Sequence, residues 1–231
     1  MLEVEQTALT QAEKLRTDIL RVNEIFYSIQ GEGSRAGERC IFIRLTGCGL
    51  RCTYCDTEYA FYEGVDLDLG DIFRRIASYD CTLVELTGGE PLEQEAAFLL
   101  MSKLCDRGYD VMVETGGHID IEGVDRRVKR IMDIKTPSSG MSKKNLYSNI
   151  EHLTSHDEVK FVIGSREDYE WSREVIAKYD LAKKAGCILF SPVFGDLSLE
   201  QLAAWVIEDS LDVKMQVQLH KLIWPGIERG V

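Results

Sequence analysis

Short apolar, β-branched runs alternate along this chain with segments whose apolar residues recur at helical spacing. The runs fall at 40–46 (CIFIRLT), 82–86 (TLVEL), 109–113 (YDVMV), 130–134 (RIMDI), 158–163 (EVKFVI), 187–190 (CILF) and 212–219 (DVKMQVQL), each of strand length. Helices are predicted over 92–106, where Leu92, Ala96, Leu99, Leu100 and Leu104 share a face and Gly108 supplies a stop, and over 166–179 and 198–209. Such alternation makes a parallel sheet. An earlier run at 22–28 (VNEIFYS) pairs with 40–46 as a hairpin-like entry to the fold. Leu9, Ala12, Leu15 and Ile19 space out a further helix near 6–20, so residues 1–21 are read as a helical extension and 22–231 as one domain.

Polar residues cluster where the strands end. The strand at 40–46 runs into Thr46-Gly47-Cys48, and the next runs into Thr87-Gly88-Gly89-Glu90-Pro91. Glu114-Thr115-Gly116-Gly117, Asp133 to Pro137, Ser191-Pro192 and His220 follow the later ones. In a β/α barrel the carboxyl ends of the strands share one mouth, where active sites are built. Seven strands are too few to close an eightfold barrel. The expected fold is therefore α/β, a partial, splayed β/α (TIM-like) barrel with loops and chain ends filling one side.

Composition narrows the chemistry. The 231 residues suit a single domain, and the net charge of −12 argues against a nucleic-acid partner, which calls for a basic face. No run of about 18 apolar residues exists, so no membrane span is expected. The acidic start MLEVEQTALTQAEK lacks the features of a signal peptide. Seven cysteines, an odd number with three in one loop, suit a reducing compartment such as the cytoplasm better than a disulfide framework.

Those three are Cys48, Cys52 and Cys55, in GCGLRCTYCDTEYAF. Closed zinc sites and ordinary iron–sulfur clusters take four ligands. Three thiolates at Cys-x3-Cys-x2-Cys leave one iron of a four-iron cluster open to a small molecule. The competing reading is a zinc-stabilised module or a plain electron carrier, with Cys40 or Cys81 as the fourth ligand. Cys40, inside an apolar run, suits a small packed hydrophobe better. Gly88 and Gly89 let a backbone approach a ligand closely, while Glu90 either meets an ammonium or holds the turn. Thr57 suits a helix cap and Asp56 a loop hydrogen bond. The turn Ile29-Gln30-Gly31-Glu32 places an amide beside a carboxylate, which suits a flat heterocycle with adjacent N–H groups. Arg44 sits in an otherwise apolar strand, so it meets either a buried acid or an anionic ligand.

The cysteine spacing resembles that of the radical S-adenosylmethionine (SAM) superfamily. With IFYSIQGEG before the cluster loop, CDTEYAF after it and HKLIWPG near the C-terminus, residues 22–231 resemble the 7-carboxy-7-deazaguanine synthase family. The resemblance implies a [4Fe–4S] cluster on Cys48, Cys52 and Cys55, SAM on the open iron, and Mg2+ joined by Thr57. It implies a ring contraction, started by a 5′-deoxyadenosyl radical, that turns 6-carboxy-5,6,7,8-tetrahydropterin into 7-carboxy-7-deazaguanine with release of ammonia. Ile29, Gln30, Gly31, Glu32, Arg44, Thr87 and His220 match substrate positions. Gly88, Gly89, Glu90, Glu114, Thr136, Pro137, Ser138, Ser191, Pro192, Val193 and Phe194 match the SAM site. A reductant protein such as a flavodoxin or ferredoxin, and a homodimer, are implied too. The chain runs past Pro225, where some members end on a proline that contacts the substrate. A glycyl-radical activating enzyme shares the cysteine spacing, but its substrate is a protein loop.

Overall fold

Residues 18–231 are described by a computed structural model. The helix expected near 6–20 lies mostly outside the described residues, and Ile19 and Leu20 already belong to the first strand. That strand, β1 (Ile19–Ile29), pairs antiparallel with β2 (Arg39–Leu45), with Phe26 opposite Phe42 and Ser28 opposite Cys40. The expected hairpin is therefore present. A short β3 (Val65–Asp68) lines the outer edge of β1.

From β2 onward every pairing is parallel and follows chain order: β4 (Leu83–Gly88), β5 (Asp110–Thr115), β6 (Lys129–Asp133), β7 (Glu158–Ile163), β8 (Cys187–Pro192) and β9 (Lys214–Met215). The edge strands β3 and β9 do not meet, so the nine-stranded sheet stays open. This is the partial, splayed barrel.

The helices pack on the outside. α1 (Leu69–Ile76) was not anticipated; Asp68 caps it by accepting from the Asp71 amide at 2.7 Å, and Ile72 and Ile76 face the sheet. α2 (Glu95–Asp106) begins after the position expected because Gln94 is extended. The Gln94 side chain accepts from the Arg21 amide and donates to the Arg21 and Thr46 carbonyls, tying β1 to the end of β2. Gly108, with φ of 82°, ends the turn after α2. α3 (Arg166–Tyr179) and α5 (Leu199–Glu208) start at Ser165 and Ser198, whose hydroxyls accept from amides three residues on; the four-residue α4 (Leu181–Lys184) follows α3. No described helix is long and apolar enough to cross a membrane.

One expectation fails at the end of the chain. The strand predicted over 212–219 is cut to Lys214–Met215, and Leu219–Ile223 form a helix, α6. Gln216 donates its amide to Phe190, the last sheet bond, and the Leu219 amide then goes to the carbonyl of Gly31. The segment leaves the sheet to cover the mouth, so His220 is helical rather than at a strand end.

Period-two alternation sorts the barrel interior into layers. Ile41, Ile43, Val84, Leu86, Val111, Val113, Val159 and Phe161 point out to the helices and form the main core. Phe26, Cys40, Phe42, Leu83, Met112 and Ile131 form a separate apolar plug inside. Two residues further along the same strands come Arg44, Glu85, Glu114 and Asp133, joined from β7 by Lys160. The plug fills the lower barrel, and charged groups form the floor of the mouth above it.

Candidate active site

A cavity of about 1060 Å3 opens at the carboxyl ends of the strands. The three cysteines, the ionisable floor, the Gly88-Gly89 turn, Ser191 to Phe194 and the C-terminal segment from Gln218 to Val231 all contribute to its wall.

The cysteine loop is held to the end of β4 by its backbone. The Glu90 amide donates to Gly47 at 2.7 Å, Gly89 donates to Leu45 at 3.1 Å, and a side chain on Gly88 or Gly89 would run into that backbone. On the other flank, the Thr53 amide and hydroxyl donate to the carbonyls of Ser139 and Ser138 at 3.1 and 2.6 Å. Glu93 accepts from the Gly49 amide at 2.6 Å and stands 3.0 Å from His118 Nε2. Burial pushes the Cys48 thiol up to about 11 and raises that of Cys52.

This donor set fits a cluster with an open corner. Cys40 is fully buried in the plug, and Cys81, Cys105 and Cys187 lie away from the cavity, so no fourth cysteine reaches the loop. Thiolates sharing one zinc at about 2.3 Å each would stand about 3.8 Å apart. Among the described residues the group of three ligand atoms mutually within 4.8 Å is Asp120, Glu122 and His152, so the three sulfurs are spread wider. One oxygen of Asp133 in the cavity wall is buried without a partner, as a site for a ligand rich in N–H or O–H donors would leave it.

Across from the cysteines, Gln30 is buried; it donates to Glu85 and accepts from the Glu32 amide at 3.1 Å. Glu32 takes the ammonium of Lys160 at 2.8 Å and the amides of Gln218 and Gln216 at 2.8 and 3.2 Å. Lys160 also holds Glu114 at 3.0 Å, whose other oxygen accepts from the Thr87 hydroxyl at 3.3 Å. Burial pushes Glu85 well above the carboxylate range, helped by Glu114 and Glu32. Burial raises Glu114 too, beyond what Lys160 offsets. At Glu32 burial is again the largest influence and works the same way, but Lys160 and Gln218 together outweigh it and the carboxyl is lowered. The floor thus sets an acid that burial biases toward its protonated form beside one that its partners bias toward the ionised form.

Several sequence readings resolve here. Arg44 lines the cavity and meets a half-buried acid, Glu24, at 2.8 Å, between the rings of Phe26 and Tyr59. Glu90 does not line the cavity. Its carboxylate is fully buried and accepts from the Leu92 and Gly116 amides and the Thr115 hydroxyl, so it holds the turn. Thr136, Pro137 and Ser138 stand behind the cysteine loop rather than in the wall; Thr136 donates to Val162 and the Ser138 amide to Asp168. Thr57 precedes a short 3-10 turn (Glu58–Phe61) without capping it, so the cap reading fails and its hydroxyl has Cys55 Sγ at 3.8 Å as neighbour. Asp56 is tied to Gln218 and Lys221. Ile29, Gly31, Thr87, Glu114, Ser191, Pro192, Val193, Phe194 and His220 all face the cavity.

Glu85, Asp133, Lys135 and Lys160 were not singled out from the sequence as site residues. Their signal was present: each is an ionisable residue on, or just past, a strand that is otherwise apolar.

Residues 42–206 match the Radical SAM superfamily. A 7-carboxy-7-deazaguanine synthase from Chlorobaculum tepidum is 46% identical over 215 residues, covering 92% of this chain and 97% of its own. The chain belongs to the 7-carboxy-7-deazaguanine synthase family. A second member, from Koribacter versatilis, is 40% identical over 226 residues and is covered in full. The crystal structure of QueE from Escherichia coli superposes with a TM-score of 0.74 over 90% of this chain and 99% of that one, at 22% identity, a likeness of fold. Membership of this family makes the chain a radical SAM enzyme, with a [4Fe–4S] cluster and SAM as its cofactors.

Proposed function

We propose that the chain converts 6-carboxy-5,6,7,8-tetrahydropterin to 7-carboxy-7-deazaguanine with loss of ammonia, on the route to queuosine and related deazapurines. The observation that carries this reading is the charged floor over the apolar plug, within the same cavity as the three-cysteine loop. A flat heterocycle with several N–H groups and one carboxylate complements that floor.

Glu32 and Gln30 accept the N–H edge of the heterocycle. Burial biases Glu85 toward its protonated form, which can donate a hydrogen bond, whereas Glu32, biased toward the ionised form, accepts. Arg44 pairs with the substrate carboxylate, sharing its guanidinium with Glu24, whose Oε2 is also served by the Gly230 amide. His220 lies over Gly31 and closes the pocket; burial lowers its pKa and keeps the imidazole neutral.

Cys48, Cys52 and Cys55 hold the cluster, and the bare backbone of Gly88 and Gly89 with the wall from Ser191 to Phe194 receives SAM. Together the bound cofactors supply one-electron chemistry and hydrogen abstraction from the substrate. Glu114 accepts from SAM on the floor, while Glu90 and the Thr136-Pro137-Ser138 turn keep the two loops in place. Mg2+ keeps most of its water or substrate ligands and takes few from protein, which suits the one hydroxyl of Thr57. A protein of the flavodoxin or ferredoxin kind delivers the electron. A buried, donor-and-acceptor pocket of this kind suits a small molecule better than the protein loop that a glycyl-radical activating enzyme would engage.

Anaerobic incubation of the cluster-loaded protein with reductant, SAM and the carboxypterin tests this. Mass spectrometry should show 7-carboxy-7-deazaguanine; pterin left unchanged while 5′-deoxyadenosine accumulates would refute it.

A further inference from the structure

Lys160 joins the two halves of the cavity. Its side chain is about 10% exposed, and its ammonium stands 2.8 Å from Glu32, 3.0 Å from Glu114 and 4.0 Å from Asp133. Glu32 belongs to the loop after β1 and is gripped from above by Gln218 of the C-terminal segment. Glu114 lies next to the last residue of β5 and is steadied by Thr87. The Lys160 carbonyl accepts from the Ile134 amide, which fixes the start of the loop behind the cysteines. One cation thus serves a carboxylate on the pterin side and a carboxylate on the SAM side, with Asp133, paired to Lys135 at 2.9 Å, beside them.

We infer that Lys160 is a positioning residue that couples the two binding events, so that pterin tightens the hold on SAM. This rests on the proposed roles of Glu32 and Glu114. In the structure a single ammonium is shared between Glu32 and Glu114, while Asp133 has the ammonium of Lys135 at 2.9 Å. A pterin presenting N–H groups to Glu32 takes over part of that partnership. The ammonium then turns more fully to Glu114 and favours its ionised, hydrogen-accepting form. A ligand that donates to Glu114 binds more tightly as a result, and by linkage SAM tightens pterin by the same factor. A merely structural lysine would weaken both ligands when replaced and leave that factor alone.

The test is equilibrium dialysis of SAM against cluster-loaded, unreduced protein, with and without the carboxypterin, so that nothing turns over. For the unaltered chain the pterin should lower the SAM Kd by about fivefold or more, the lower end of ordinary coupling between sites. Lys160→Met should bring that ratio to about one, and Lys160→Arg, which keeps the charge, should restore part of it. If Lys160→Met does not fold, Lys160→Gln is held to the same criterion. A ratio preserved in the uncharged variant overturns the inference, as does a ratio of one in the unaltered chain. Pterin turnover with no coupling would overturn this inference alone; no pterin binding at all would overturn the functional reading with it.

Discussion

Gly89 backs directly onto Gly47: a Cβ on Gly89 would stand 1.9 Å from the Gly47 carbonyl oxygen. The turn after β4 and the first residue of the cysteine loop are therefore in backbone contact, and the Glu90 amide seals it by donating to the same oxygen at 2.7 Å. Gly89→Ala should push the cysteine loop away from β4. Iron bound after anaerobic reconstitution should fall to a small fraction of that in the unaltered chain, while far-ultraviolet circular dichroism stays near normal. Full iron loading in this variant would show that the contact does not shape the loop.

Glu90 has no opening onto the cavity and three internal donors. Replacing it with Ala leaves two amides and a hydroxyl without their acceptor, at a cost of about 1–3 kcal/mol. Thermal unfolding should show the loss. An equal stability, with only SAM binding impaired, would instead mean that the carboxylate faces the cofactor.

Arg44 carries both a structural and a binding role. Arg44→Met leaves the half-buried Glu24 with only the Tyr59 hydroxyl and the Gly230 amide and removes the partner for a substrate carboxylate. The expected outcome is a loss of about 1–3 kcal/mol in stability and a KM for the carboxypterin raised by about tenfold or more. Arg44→Lys should recover more of the stability than of the KM, because the ammonium cannot make the forked contact. Steady-state kinetics beside a urea titration separate the two effects.

Gly31 has no room for a side chain because a Cβ there would lie 2.8 Å from His220 Nδ1. Gly31→Ala should swing His220 outward and weaken pterin binding by about tenfold, with cluster content unchanged. Unaltered pterin affinity would show that His220 does not close the pocket.

His220 also sets a pH dependence. Burial lowers its pKa from the ordinary 6.5, so the unfolded chain binds the proton more readily than the folded one. Its contribution to stability is complete above about pH 6.5 and is lost as pH falls through the lower folded value. Urea midpoints measured from pH 7.5 down to 5 should drop further for the unaltered chain than for His220→Gln, which cannot titrate there. A gap that widens in the other direction would contradict the shift.

The parallel sheet and its mouth were legible because Ile41, Val84, Val111 and Val159 lie in short, mainly apolar runs that stop at glycine-containing polar turns. The three cysteines were legible from spacing alone. β3 was hidden because Val65-Asp66-Leu67-Asp68 offers a single buried residue, and α1 because its core contribution rests on Ile72 and Ile76. The segment from Gln216 to Leu219 alternates like a strand, yet Gln216 and Gln218 find Glu32, a partner distant in sequence, and the chain folds over the mouth instead. Lys160 and Glu85 could be noticed as charges in apolar strands, but which carboxylate the lysine would meet depended on a register that only the assembled sheet fixes.

The most direct measurement is iron and sulfide content together with the electron paramagnetic resonance spectrum of the reduced protein, recorded with and without SAM. A cluster held by Cys48, Cys52 and Cys55 with one iron open predicts about four irons and four sulfides per chain and a spectrum that changes when SAM is added. A single tightly held zinc, or a cluster whose spectrum SAM leaves untouched, would contradict it.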